Sequence, residues 1–108
     1  MEAQAARRRD VGARLERALI AAAATEGCVL RIEEASWVPW ASVTFSGARH
    51  RLGLELDASI VAQAWLVALP DLELPIRGHL VADLQVATVE ATDGVLRAAI
   101  EALTVEEC

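Results

Sequence analysis

The chain has 108 residues, 16 acidic and 10 basic side chains and a formal net charge of −6. An acidic balance repels phosphate backbones, so nucleic acid is not the expected partner. Two cysteines, Cys28 and Cys108, supply neither a disulfide scaffold nor a metal-ligand spacing, and no cofactor motif is present.

The length fits one domain spanning residues 1–108, large enough for a core without metal or disulfide staples. Alanine supplies much of the 55% hydrophobic fraction, so that core is built partly from thin side chains. Lysine, tyrosine and asparagine are absent. Ala18 to Ala24 is too short to span a bilayer and no leader pattern precedes it, so a cytoplasmic protein without a membrane partner is expected.

The first predicted element is a helix from about Ala3 to Thr25. Val11, Leu15, Ala18, Leu19 and Ala22 form one stripe at helical spacing. Gly12 weakens the first turns, so residues 1–10 are expected to fray, and Gly27 stops the helix. The cluster Arg7, Arg8, Arg9, Arg14 and Arg17 reads as a solvated face.

Three strands follow by alternation: Cys28 to Glu34, Trp40 to Ser46 and Arg51 to Asp57. Ala35 to Pro39 and Gly47 to His50 are the expected connections. Leu52, Leu54 and Leu56 point to a covered face. Phe45 is expected in the core. Trp37 and Trp40 flank Val38-Pro39 and are candidate contact anchors. Arg49, His50 and Arg51, beside a turn, form a candidate anion contact.

Ala58 to Leu69 reads as a helix with Ser59 and Gln63 as its only polar side chains. A surface helix needs an apolar stripe, not an apolar circumference, so this one must be covered on several sides. Asp57 or Ser59 caps it and Pro70 ends it. Val61 and Trp65 on this helix are candidate interface residues.

The C-terminal third has two readings. Val95 to Leu103 fits a short helix, or a strand facing Leu80 to Glu90 across an Asp93-Gly94 hairpin turn. The hairpin is favoured because it pairs Thr92 with Val95 and Glu90 with Arg97. It also sets Leu84 against Leu103, Ala82 against Val105, and Val86 against Glu101. The last of these is uncomfortable and invites a bulge. Ala87, Val89, Leu96, Ala98 and Ile100 then form an apolar tip, sharing a face with Asp83, Gln85 and Thr104 nearer the base. Val89, Leu96 and Ile100 complete the candidate interface.

Chemical motifs are weak. His79 and Asp83 sit about 13 Å apart on one strand face, too far to ligate one metal. Adjacent Glu33 and Glu34 face opposite ways on a strand. The serines lack a nucleophile-elbow context. The expected fold is therefore an α+β two-layer sandwich with a mostly antiparallel sheet, in the order α-β-β-β-α-β-β, or with a short helix replacing the last strand. The expected function is non-enzymatic: homodimeric assembly or binding of another protein. The competing expectation is a small-ligand or catalytic pocket near His50 and His79.

Overall fold

The computed structural model describes residues 2–107, with side chains from Asp10 onward. Helix α1 (Glu2–Thr25) closes with a Schellman arrangement. Gly27 adopts a φ of +79°, the Cys28 N–H donates to the Ala23 carbonyl, and the Gly27 N–H donates to that of Ala24. The backbone of Glu2 to Asp10, expected to fray, forms the first turns of α1, while the solvation of Arg7, Arg8 and Arg9 concerns side chains outside the described residues. So does the placement of Cys108.

Strand β1 (Arg31–Ala41) is followed by β2 (Ser46–Asp57), helix α2 (Ile60–Ala68) and a single 3-10 turn (Leu69–Asp71). Strands β3 (His79–Thr92) and β4 (Val95–Glu106) complete the chain. All pairings are antiparallel and the order across the sheet is β1-β2-β4-β3. The two hairpins thus join through β2 and β4 within one chain, and the helices lie on one face. Among the described residues, no helix is long and apolar enough to cross a membrane.

The three expected strands before α2 are two in the structure. β1 runs through Ala35 to Pro39 without turning. Pro39 is tolerated because β1 is an edge strand, where a missing N–H costs no ladder bond. The turn falls at Ser42 to Phe45, inside the expected second strand. There the Ser42 hydroxyl accepts from the N–H groups of Thr44 and Phe45, and the Ser42 N–H donates to the Phe45 carbonyl. Phe45 is accordingly exposed at the hairpin end, not in the core. Gly47 to His50, expected as a connection, belongs to β2.

The C-terminal hairpin forms, and the helical alternative does not. Asp93 and Gly94 both take positive φ, and Thr92 and Glu90 face Val95 and Arg97. Beyond the tip, β3 is irregular between Val86 and Thr88 and again between Val81 and Asp83. The first irregularity sets Val86 opposite Ile100 instead of Glu101. Leu84 then meets Ala102 instead of Leu103, and after the second Leu80, not Ala82, meets Val105. Each inserted residue resets the two-residue period. Asp83 and Gln85 consequently pair with Leu103 and Glu101 on the outer face, away from Thr104. A third irregularity, between Ile32 and Glu34, leaves Glu34 opposite Gly53 and lets Glu33 reach Arg97 on the same outer side.

One core fills the space between helices and sheet. Val11, Leu15, Leu19 and Ala23 descend from α1 onto Leu52, Leu54 and Leu56 of β2 and Leu96, Ala98 and Ile100 of β4. Full burial of each leucine or isoleucine contributes about 2 kcal/mol.

Candidate interaction surface

Helix α2 starts where the Ser59 hydroxyl accepts from the Ala62 N–H at 2.9 Å, with Ser59 in extended backbone. Asp57, the other capping candidate, ends β2 and pairs with Arg31 at 3.2 Å. Ala62, Trp65 and Leu66, with Leu69 just beyond, point into the core. At 100° per residue the opposite pole of the helix carries Ile60, Ala64 and Val67. That pole is solvent-exposed, Ile60 at 85% and Val67 at 81% of their full areas. The predicted burial on several sides is therefore met on one side only within the chain.

Beside this ridge runs an apolar groove of about 690 Å³ between α1 and α2. Ala18, Ala21 and Ala22 form its α1 wall, and Val61, Ala64 and Ala68 its α2 wall. Alanine at five of these six wall positions is why the helices leave a channel: their side chains are too short to meet across it. Leu72 and Pro75 also line it, and Glu26 and Glu73 supply carboxylates on its lining. Trp65 forms part of the wall and is 3% exposed, and its Nε1–H has no acceptor among the described residues. Such an orphan donor costs roughly 1–3 kcal/mol.

The other candidate interface residues separate into three groups. Val61 is half-exposed on the groove wall, and Val89 is half-exposed near the β3-β4 tip. Leu96 and Ile100 are fully buried in the core, so they are not interface residues. Their expected exposure relied on a ribbon tip reaching beyond the domain, whereas β4 is an interior strand beneath the helices. Trp37 is half-buried and lines a cavity beneath α1. Trp40 is half-buried, and its indole N–H donates to the Thr104 carbonyl at 3.2 Å, reaching over Gly47.

The Arg49, His50 and Arg51 group does not form one cluster. Alternation along β2 turns both arginines outward and His50 inward. His50 is 3% exposed, and its Nε2 lies 2.9 Å from the Thr104 hydroxyl. That hydroxyl donates to the Ala48 carbonyl, so it accepts from His50 and the proton sits on Nε2. Burial, and secondarily the nearby His79, push the His50 pKa down to about 4. The structure does bring the two histidines to the same end of the inner face. His79 Nε2 and Glu106 Oε1, on directly paired residues, are both buried without partners among the described residues. A cavity of about 220 Å³ beside His50 is lined by Glu16, Trp37 and Leu52 as well. No group of three or more metal-ligating side chains exists among the described residues.

The outer sheet face is ionic. Arg31 meets Glu55 at 2.8 Å, and Arg97 meets Glu55 and Glu33 at 3.3 and 3.7 Å. The Glu55 carboxyl is held below the usual range by hydrogen bonding with Glu33 and then by Arg31, while the Glu33 carboxyl is raised, chiefly by the same contact with Glu55. Arg51 lies 3.7 Å from Glu101. Exposed pairs of this kind contribute little stability, but they keep the face wet. This network was missed in the sequence because the β1 irregularity sends Glu33 and Glu34 to one side.

The chain matches no protein-family model, and no curated protein or solved structure is significantly similar to it.

Proposed function

We propose that this chain is a non-enzymatic assembly domain that associates with itself through the helical layer. The observation that carries the reading is the outward pole of α2, where Ile60 and Val67 are almost wholly exposed on a helix whose one polar side chain is Gln63. Covering each of those two side chains contributes about 2 kcal/mol. A contiguous exposed apolar face of this sort marks an interaction site.

The other surfaces suit association less well. Strand β1 carries an irregularity and Pro39, and strand β3 carries two irregularities. Such features blunt sheet edges against strand addition. The outer face carries the Arg31, Glu55 and Arg97 network, whose desolvation is costly. Sedimentation velocity across the micromolar range is expected to show a species about twice the 11.6 kDa chain mass. A single 11.6 kDa species throughout that range overturns the reading.

A second reading places a small ligand beside His50. It is favoured by the cavity there and by an Nδ1 that accepts no hydrogen bond from a described residue, while Nε2–H is committed to Thr104. A ring-bearing alcohol would offer a donor to Nδ1 and a flat face to Trp37. Titration with benzyl alcohol is expected to shift the His50 Nδ1 NMR resonance under this reading. Resonances unmoved at millimolar alcohol remove it.

A further inference from the structure

We propose that the groove between α1 and α2 is a binding site for a small amphiphilic cation, an amine whose alkyl tail lies along the alanine walls and whose ammonium sits at the Glu26 and Glu73 carboxylates. The proposal does not rest on self-association, because Val67, at the crest of the ridge, is not on the groove lining. The groove volume of about 690 Å³ falls within the roughly 300–1,000 Å³ of small-molecule sites. At 1.5 Å per residue, α1 runs about 11 Å between Ala18 and Thr25, which suits a tail such as octyl.

The polar side chains on the lining define the end group. Glu26 and Glu73 form no ion pair with a described residue, and no arginine or histidine lines the groove. Thr25, also on the lining, donates its hydroxyl proton to the Ala21 carbonyl at 3.0 Å, so its oxygen has only lone pairs left to offer. The Trp65 Nε1–H is buried inside the wall. The accessible polar side-chain atoms of the lining are therefore acceptors. An ammonium group carries donors and no acceptor, which is the matching inventory.

The backbone adds to the same field. Helix α1 ends beside Glu26 with no basic residue in its last turn, so the negative pole of its macrodipole reinforces the carboxylates. Apolar walls focus that potential along the groove. A fatty acid would meet negative potential from all three sources, and a neutral alcohol would gain from its tail alone. A protein segment is the poorer occupant. The lining covers only about two turns of each helix, whereas a stable protein interface uses roughly 20–30 residues a side.

The test titrates the full chain with octylamine, 1-octanol and octanoate, one tail with three end groups, and follows backbone amide NMR resonances. Octylamine is expected to shift resonances within residues 18–26 and 60–75 and to bind at least tenfold more tightly than 1-octanol, with octanoate weaker still. Glu26→Gln combined with Glu73→Gln is expected to lower the octylamine affinity at least tenfold and to leave that of 1-octanol within twofold. Ala64→Leu, which fills the groove from an exposed position, is expected to abolish binding of both while leaving the urea midpoint unchanged. Glu34→Gln combined with Glu90→Gln, two exposed carboxylates on the sheet, controls for general attraction to an acidic chain and is expected to change nothing. Val67→Ser repeats the titration with the ridge lowered, so that a dimer over the groove mouth does not mask the site. The proposal is overturned if octylamine shifts no groove resonance in either the native chain or Val67→Ser. Equal affinities for the three end groups, or octylamine binding that survives loss of both carboxylates, overturn it as well. Each of these results leaves self-association to be decided by sedimentation alone, and a strictly monomeric chain leaves the amine site standing.

Discussion

Gly47→Ala is expected to destabilise the fold by roughly 3 kcal/mol or more, the upper part of the range for inserting a methyl group into a packed site. A Cβ built on Gly47 would overlap the Thr104 carbonyl oxygen, approach the Thr104 carbonyl carbon to 2.8 Å and approach the Trp40 Nε1 to 2.9 Å. The first two are backbone atoms of β4, so no rotamer change relieves the contact. Strands β2 and β4 would have to separate at the ladder that joins the two hairpins, and the Trp40 N–H would lose its carbonyl acceptor. For a domain whose total stability is about 5–15 kcal/mol, the loss is large. Gly53→Ala on the same strand is the control. Its Cβ would meet the Glu34 Cβ at an ordinary 3.6 Å, so a change within about 0.5 kcal/mol is expected. Urea unfolding followed by tryptophan fluorescence measures both. Equal midpoints for the two variants would show that the contact over Gly47 is not tight.

Acidification is expected to weaken the fold well before its carboxylates titrate. An unfolded histidine takes up a proton near pH 6.5, whereas His50 in the folded chain does so only at about 4. Between those values the unfolded state binds the extra proton, so stability is fully present above pH 6.5 and falls as pH drops toward 4. The full difference corresponds to roughly 3 kcal/mol at about 1.4 kcal/mol per unit. The cause is physical exclusion of the charged imidazole from a site where His50 already donates to Thr104. Glu55, with its lowered pKa, adds a loss of the same sign at lower pH. Glu33, whose carboxyl is raised by its contact with Glu55, contributes with the opposite sign, so the His50 contribution is the difference between the native chain and a His50 variant from pH 6.5 to 5. His50→Gln, whose amide can still donate to Thr104, is expected to flatten the urea midpoint across that window. A slope unchanged by that substitution would assign the acid sensitivity elsewhere.

Both results turn on tertiary placement that local pattern reading missed, and the reasons are specific. Alternation through Ala41, Val43 and Phe45 reads as a strand, yet four hydrogen bonds around Ser42 make a turn there. Periodicity cannot weigh a serine hydroxyl against a ladder. Conversely, Gly47 to His50 reads as a connection because it combines glycine, arginine and histidine. It becomes a strand because β4 pairs with it along its full length. The Asp93-Gly94 turn was legible because its chemistry is local: two consecutive positive φ values with Gly94 at the second. The uncomfortable Val86–Glu101 pairing signalled the first β3 irregularity, whereas the second, between Val81 and Asp83, has no such signature in the sequence.

The candidate surface divides in the same way. The amino-acid sequence alone determined the α+β class, the Leu52, Leu54 and Leu56 core face, the C-terminal hairpin and the apolar circumference of α2, because each depends on neighbouring residues and their period. Only the tertiary structure decided that Leu96 and Ile100 are core while Ile60 and Val67 are surface, that His50 turns away from Arg49 and Arg51, and that His50 and His79 share one end of the inner face. Those outcomes depend on which strand lies in the middle of the sheet and how two helices share one face. Chain contacts between residues far apart in sequence set both, and no local period encodes them.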